Sequence, residues 1–185
     1  MTERPDLGLR LYLAHPGSGL SRLGATPPYW AYVWAGGAAL AAHVAGMDLR
    51  GKRVLDFGAG SGVAGIAAAR AGAKVWARES DPWGRAALGI NAALNGVEVR
   101  LARGGPRVDL VLAGDVFYAP DVAAAVLPVL EGLRASGAEV LVGDPGRADL
   151  PVARMDLVAS YPVRDMGVAS RVRRGAGVYR LHPLD

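Results

Sequence analysis

The stretch "RVLDFGAGSGVAG", residues 53–65, decides the fold because a short apolar run passes directly into a glycine-rich loop. Two patterns fit its glycines. One begins at Gly60 and matches G-x-G-x-x-G, the fingerprint of dinucleotide-binding loops. The other begins at Asp56, continues through Gly58 and matches acid-x-G-x-G-x-G. The two patterns imply different ligands.

The end of the first strand distinguishes the two patterns, because a cofactor loop starts where that strand ends. The predicted strand, residues 53–57, runs directly into Gly58. Counted from there, a dinucleotide fingerprint needs its third glycine at Val63, so the acid-x-G-x-G-x-G pattern is favoured. Gly58 and Gly60 then let the backbone approach the ligand, and the next helix offers N–H groups to a ligand carboxylate. Asp56 can accept the ligand's ammonium group.

An acidic residue after the second predicted strand supports the same interpretation. Glu79 follows the strand at residues 74–78 and lies about 20 residues beyond the loop. An acid at this position can accept hydrogen bonds from both hydroxyls of a ribose. Ser80 beside it is a second candidate for the cofactor site. An NAD enzyme could use the same acid, and Glu79 could also be a simple helix N-terminal acid. Asp81 before Pro82 is the better N-cap.

The alternation of β-rich runs and helical patterns indicates a mostly parallel sheet with helices on both faces. Near the C terminus two strands are joined by a turn, so the last pair is expected to be antiparallel. This ending distinguishes a Rossmann-like class I methyltransferase fold, a seven-stranded α/β sheet, from an all-parallel dinucleotide fold. The predicted strands are 53–57, 74–78, 97–101, 107–114, 139–144, 155–163 and 171–182, and the predicted helices are 63–71, 82–95 and 120–135.

Composition sets limits on the class of protein. With 185 residues, 51% of them hydrophobic, the chain predicts one domain over residues 1–185. There is no Cys, which excludes disulfides, thiolate nucleophiles and Cys-based metal sites. The three His are scattered, so no metal is expected. No signal-peptide pattern opens the chain, and together these features predict a cytoplasmic protein.

An uncharged stretch at residues 29–47 has the length of a membrane span. Glycines and His43 interrupt it, and Ala outnumbers Leu and Ile, so it predicts a buried amphipathic helix that packs on the sheet instead. Residues 1–50 are expected to form an N-terminal segment and helix that pack on the sheet and on the cofactor site.

Five segments carry a resemblance to a known family. They are "PPYWAYVWAGG", "RVLDFGAGSGVAGIAAARAGA", "INAALNGV", "DLVLAGDVFYAPD" and "VLVGDPGR". Together they resemble the seven-strand protein lysine methyltransferases, in particular the branch that methylates the β-subunit of electron transfer flavoprotein. A related bacterial group carries a nicotinamide N-methyltransferase-like label. The resemblance covers residues 9–147 and implies S-adenosyl-L-methionine as cofactor and an amine nitrogen, of a protein lysine, as methyl acceptor.

The resemblance also implies roles for particular residues. Trp34 matches the tryptophan beside the methionine end of the cofactor, although a core aromatic is the alternative. Gly114 matches a residue that lines the cofactor after the fourth predicted strand. Asp115 and Tyr118, in "DVFY", match the acid-x-x-aromatic motif beside the target amine and are the candidate catalytic residues. Asp115 is expected to orient the amine by hydrogen bonds and not to act as a strict general base; the alternative is that it ties down the loop.

The sequence departs from the family pattern at two places. Relatives place a Trp or polar residue against the adenine after the third strand, whereas this chain has "LARGG", so either Arg103 stacks there or the backbone serves. The segment after Arg147 is short, which predicts that the helix between the fifth and sixth strands is absent.

Other functions stay open at this stage. A small-molecule N-methyltransferase of the nicotinamide type would use the same pocket, and a non-catalytic cofactor-binding module would keep the fold. "TPPY", residues 26–29, is similar to a motif of nucleic-acid amino-methyltransferases. That motif must follow the fourth strand, where this chain reads "GDVF", so a turn into the first helix is expected instead. We therefore predict a monomer that acts on a protein or a small amine and binds neither nucleic acid nor membranes.

Overall fold

The structure is a computed structural model that describes residues 2–4, 7–15, 18–20, 27–105, 107–163 and 174–183. Within these residues the chain forms nine strands and four α-helices. The strands are β1 (Thr2–Arg4), β2 (Leu9–Leu11), β3 (Arg53–Phe57), β4 (Lys74–Arg78), β5 (Val99–Leu101), β6 (Leu110–Gly114), β7 (Glu139–Asp144), β8 (Met155–Val163) and β9 (Arg174–Leu181). The helices are α1 (Ala35–Ala45), α2 (Val63–Arg70), α3 (Pro82–Leu94) and α4 (Pro120–Ala135), and short 3-10 helices lie at Tyr29–Ala31 and Val152–Arg154.

Seven strands form the main sheet, in the order β5-β4-β3-β6-β7-β9-β8. The first five pair in parallel, and β9 is antiparallel to both β7 and β8. The predicted fold class is therefore confirmed. From β3 the chain builds the sheet outward to β5, then returns to place β6 on the other side of β3. Ligands of open α/β sheets bind where the strand order reverses in this way, at the carboxyl ends of the strands.

The predicted element boundaries hold closely, with several differences. β5 begins at Val99 and β6 at Leu110, later than predicted, and the β1–β2 hairpin was not predicted. Between β7 and β8 lies a 3-10 turn and no α-helix, as the short segment predicted. The predicted turn before β9, and the predicted strand start at residues 171–173, lie outside the described residues. No helix in the described part of the chain is long and apolar enough to cross a membrane.

The stretch at residues 29–47 differs from its prediction. It forms a 3-10 turn and then α1, and eight of the eleven residues of α1 are buried. The helix is therefore buried on nearly all sides and is not amphipathic. The reason is its small side chains, which let the sheet, chiefly β7 and β9, approach one side and α2 the other.

Glycines bring the start of α1 into direct contact with the sheet backbone. A Cβ added at Gly36 would lie 2.0 Å from the carbonyl oxygen of Gly143, and one added at Gly143 would lie 2.1 Å from the carbonyl oxygen of Gly36. A Cβ at Gly114 would lie 2.8 Å from the Cα of Gly37. The "AGG" segment is thus needed to place the amino end of α1 at the carboxyl ends of β6 and β7.

Candidate cofactor and acceptor site

The glycine loop after β3 has a backbone that requires glycine. Gly58, Gly60 and Gly62 have φ angles of 69°, 53° and 84°, in the left-handed region that other residues rarely adopt. The amides of Gly58 and Ala59 both donate to the carbonyl oxygen of Arg78, at 2.9 and 3.2 Å. The loop is therefore fastened to the end of β4, and its first glycine is Gly58, as the register predicted.

Glu79 contacts the glycine loop directly. Its Oε2 accepts a hydrogen bond from the amide of Gly60 at 2.7 Å, and its Oε1 accepts one from the amide of Asp81 at 2.8 Å. The N-cap of α3 is Asp81, whose Oδ1 accepts from the amide of Trp83 at 2.7 Å. Glu79 is therefore not the cap of α3. The neighbouring Ser80 is fixed through its carbonyl oxygen, which accepts from Arg85.

Asp56 lies beneath the loop and is 3% exposed. Its Oδ2 accepts a hydrogen bond from the amide of Gly65, in the first turn of α2, at 2.8 Å. Burial raises the pKa of Asp56 to about 7, against the hydrogen bond from Gly65, and the charge of Glu79 raises it further. The carboxylate thus has a partner within the protein, and its predicted contact with a ligand ammonium stays a prediction.

Asp115 joins three elements at the carboxyl end of β6. Its φ of 54° is the one positive value at a non-glycine residue in the described part of the chain, and the residue is 7% exposed. Its Oδ2 accepts a hydrogen bond from the amide of Gly37, in the first turn of α1, at 3.0 Å. Its Oδ1 accepts one from Nη2 of Arg147 at 2.7 Å. Burial raises the pKa of Asp115, whereas Arg147 and the Gly37 amide oppose that rise; the charge of Asp144 adds to it.

Arg147 is a residue of the site to which the sequence alone assigned no role. The turn after β7 is fixed by Asp144, whose Oδ1 accepts from the amides of Gly146 and Arg147 at 2.7 Å each. The guanidinium carbon of Arg147 lies 6.0 Å from the ring centroid of Trp34, within the range of a cation–π contact. The signal in the sequence is "VGDPGR", which was used only for the family resemblance.

Three aromatic side chains lie in contact with one another, one of them against Arg147, and we call Tyr29, Trp34 and Tyr118 the aromatic rim. The ring centroids of Tyr29 and Trp34 are 5.8 Å apart, and those of Tyr29 and Tyr118 are 5.9 Å apart. Trp34 Nε1 donates to the carbonyl oxygen of Tyr29 at 2.8 Å. Tyr29 and Tyr118 are 52% and 53% exposed, and Trp34 is partly exposed, so none of the three is a core residue. Sequence reasoning did not identify Tyr29.

Two further residues hold the N-terminal segment against the loop. Asn91, fully buried on α3, accepts at Oδ1 from the amide of Tyr12 at 2.7 Å and donates from Nδ2 to the carbonyl oxygen of Ser61 at 2.9 Å. Trp30 covers the loop, since a Cβ at Gly60 would lie 3.6 Å from the Cα of Trp30. Asn91 lies in "INAALNGV", a segment of the family resemblance to which no function was given.

The structure brings the predicted residues together in two groups. Gly58, Gly60, Glu79 and Ser80 lie on the β4 side of β3, whereas Gly114, Asp115, Trp34 and Tyr118 lie on the β6 side. Arg103 belongs to neither, because it is exposed after β5 and, within the described residues, no hydrogen bond or ring contact links it to them. No group of His, Cys, Asp and Glu in the described ranges could hold a metal ion.

The seven-strand sheet with its antiparallel last pair, and a glycine loop at the point of strand reversal, is the fold of the class I methyltransferases. Residues 40–120 match the family model described as ribosomal protein L11 methyltransferase (PrmA). A solved structure of ribosomal protein L11 methylase from Lactobacillus delbrueckii subsp. bulgaricus superposes with a TM-score of 0.56 at 22% identity, over 78% of this chain and 77% of that one.

Sequence relatives narrow the class. The chain is a homologue of the electron transfer flavoprotein beta subunit lysine methyltransferases, which confirms the resemblance. The Rattus norvegicus protein is 39% identical over 132 residues, covering 65% of this chain and 51% of that protein. The Xenopus laevis protein is 37% identical over 153 residues, covering 75% and 62%. The chain thus spans about half the length of the first relative and less than two thirds of the second.

Proposed function

We propose that the protein transfers a methyl group from S-adenosyl-L-methionine to an amine nitrogen, with a protein lysine as the preferred acceptor. The observation that carries this proposal is the contact between Glu79 and the left-handed glycine loop through the amide of Gly60. This contact puts a carboxylate, which can accept hydrogen bonds from ribose hydroxyls, beside a stretch of backbone that a ligand can approach closely. Asp115 and the aromatic rim lie across β3 from that contact, where an acceptor would enter.

The residues present fit this cofactor. The backbone of Gly58 and Gly60 carries no side chain toward the ligand, and the N-cap of α2 is Gly62, which makes no side-chain cap for the first turn. Asp56 already accepts from the Gly65 amide of that turn, so a ligand carboxylate would face the remaining amides at the amino end of α2. Glu79 and Ser80 would hold the ribose, and Trp34 and Gly114 would line the methionine end. The cofactor would supply a methyl group on a positively charged sulfur, which is a good leaving group.

The protein's own contribution is to bring in a neutral amine and align it. A lysine amine has an ordinary pKa near 10.4, and transfer into a partly desolvated site lowers that pKa. The lone pair of the amine would form the new N–C bond, and the cofactor, which would supply the methyl group, would leave as a neutral thioether with the electrons of the broken bond. The product ammonium would then lose its proton to solvent. Asp115 would orient the amine by hydrogen bonds, and Tyr29 and Tyr118 would enclose its aliphatic stem.

Calorimetry tests the cofactor assignment. We expect binding of S-adenosylmethionine and S-adenosylhomocysteine and no comparable binding of NAD. Glu79→Ala should weaken that binding by about 1.5 to 3 kcal/mol, the scale of a hydrogen bond to a charged group. Glu98→Ala is the matched control, because Glu98 pairs with Arg100 on the exposed surface and should leave affinity unchanged. Preference for NAD, or an unchanged affinity in Glu79→Ala, contradicts the assignment.

The names of the relatives support a protein acceptor, the β-subunit of electron transfer flavoprotein. Two rings of the aromatic rim, Tyr29 and Tyr118, are about half exposed, which would let a side chain presented by a protein reach them. Tritiated S-adenosylmethionine incubated with purified β-subunit, with host lysate and with free nicotinamide separates the possibilities. Label in the β-subunit supports the proposed substrate, and label in nicotinamide alone supports the small-molecule alternative. Binding without transfer to any acceptor supports a non-catalytic module. We further propose that the enzyme is a cytoplasmic monomer.

A further inference from the structure

The carboxylate of Asp115 presents a difficulty for methyl transfer to an amine. A carboxylate near an amine stabilises the ammonium form, which has no lone pair and cannot accept a methyl group. Asp115 is nearly buried, where charge interactions are stronger than in water. An uncompensated charge at this position would therefore oppose the reaction that the proposed function requires.

Arg147 resolves this difficulty by its placement. Its Nη2 lies 2.7 Å from Oδ1 of Asp115, and the two side chains are 27% and 6% exposed. The guanidinium is also held from the other side, because its carbon lies 6.0 Å from the ring centroid of Trp34. Asp144 fixes the backbone of the turn that carries Arg147. The arginine is therefore placed by its contacts with Asp115 and Trp34 and by the turn that Asp144 fixes.

The groups that face Asp115 come from three elements. The turn after β7 supplies the positive charge of Arg147, and the end of β7 supplies the negative charge of Asp144. Helix α1 supplies the uncharged amide of Gly37. Among the described residues, Arg147 is thus the cation that offsets the charge of Asp115, against the added negative charge of Asp144, while the Gly37 amide fixes the orientation of the carboxylate.

We propose that Arg147 is a positioning residue that holds the Asp115 carboxylate and balances its charge, so that Asp115 orients the acceptor amine without keeping it protonated. This inference rests on the proposed function. The "GDVFY" segment supplies Asp115, and the "VGDPGR" segment supplies both Arg147 and the acid Asp144, so the two segments meet in this group of charges. It also gives the acceptor a requirement: it must be an amine that can arrive as, or become, the neutral base.

Single-turnover rates of methyl transfer against pH test the inference. They are measured with tritiated S-adenosylmethionine and the acceptor that the parent protein labels. Arg147→Gln removes the charge, so the midpoint of the rising pH profile should move up by about one unit, which lowers the rate at neutral pH about tenfold. The rate of Arg147→Gln should approach the parent value at pH values above the shifted midpoint. Arg147→Lys keeps the charge and should keep the parent midpoint, even if its maximal rate is lower.

Controls separate this role from a merely structural one. Arg154→Gln removes a guanidinium that pairs with Glu131 at 3.1 Å, away from the site, and should leave the profile unchanged. Melting temperature and cofactor affinity are measured on every variant. If Arg147→Gln and Arg147→Lys lower the rate equally at all pH values, or Arg147→Gln keeps the parent midpoint, the inference is overturned while the proposed function stands. If the parent protein methylates no acceptor, the proposed function fails, and the inference with it.

Discussion

Gly36→Ala tests the close contact between α1 and the sheet. The added Cβ would lie 2.0 Å from the carbonyl oxygen of Gly143, 2.5 Å from its carbonyl carbon and 2.6 Å from Oδ2 of Asp115. Real Cβ contacts are not shorter than 3.0 Å, and the obstacle here is backbone, which cannot rotate away. The helix must therefore move away from the sheet by about 1 Å, which overpacks the core.

The expected cost is large because the movement disturbs several contacts at once. Overpacking a rigid core costs typically 1–3 kcal/mol, and here the shift also weakens the hydrogen bond from the Gly37 amide to Asp115. The better helix propensity of alanine returns at most about 1 kcal/mol. We expect a net loss of about 3 kcal/mol, which for a chain of this length lowers the melting temperature by about 6–12 °C.

Urea unfolding and calorimetry measure this loss, and Gly89→Ala is the matched control. Gly89 lies on the exposed side of α3, and a Cβ there meets nothing within 4 Å. That change should stabilise the protein by about 0.5–1 kcal/mol through helix propensity alone. A Gly36→Ala variant that melts at or above the parent temperature would refute the reasoning.

Three further predictions concern single buried side chains. Asp115→Asn should slow single turnover about 100-fold, as misplacement of a reacting group can, with little change in cofactor binding. If melting temperature and cofactor affinity fall together instead, Asp115 has a purely structural role. Because burial raises the pKa of Asp56 from 3.8 to about 7, the folded state holds that proton more tightly. Stability should therefore fall as pH rises from about 4 to 7, and in urea titrations Asp56→Asn should flatten that slope. Asn91→Ala leaves the amide of Tyr12 and the carbonyl of Ser61 without this partner and should cost about 2–3 kcal/mol in the free energy of unfolding; a change below 0.5 kcal/mol would contradict the contact.

The parts of the fold that sequence predicted are those that depend on local pattern. β3, β4 and β7 match their predicted bounds because apolar runs end at glycine or charged residues. The β1–β2 hairpin could not be predicted, because "TER" has neither apolar alternation nor high β-propensity. β2 is held by two asparagines at the end of α3. Asn95, the C-cap of that helix, donates from Nδ2 to the carbonyl oxygen of Arg10 at 2.6 Å, and Asn91 accepts from the amide of Tyr12.

The candidate site likewise has a part that local sequence predicted and a part that it did not. The register of the glycine loop and the place of Glu79 were predictable, because one strand–helix–strand unit sets their spacing. Arg147 was not, since its contact with Asp115 depends on the order of β6 and β7 and on the turn that Asp144 fixes. The contact of Gly36 with Gly143 likewise joins an N-terminal helix to a strand far along the chain, and nothing in either local sequence indicates it.

This difference in sequence separation has a consequence for how the two halves of the site depend on stability. On the cofactor side, Gly60 and Glu79 are 19 residues apart and Asp56 and Gly65 are 9 apart. On the acceptor side, Gly37 and Asp115 are 78 residues apart, and Asp115 and Arg147 are 32 apart. Local units open and close with their own free energies, whereas the acceptor side needs α1, β6 and the turn after β7 docked together. Partial destabilisation, as in Gly36→Ala, should therefore lower methyl transfer more than it lowers cofactor affinity. Loosening α1 releases Asp115 and shifts Trp34, whereas the glycine loop and Glu79 keep their contacts with the end of β4.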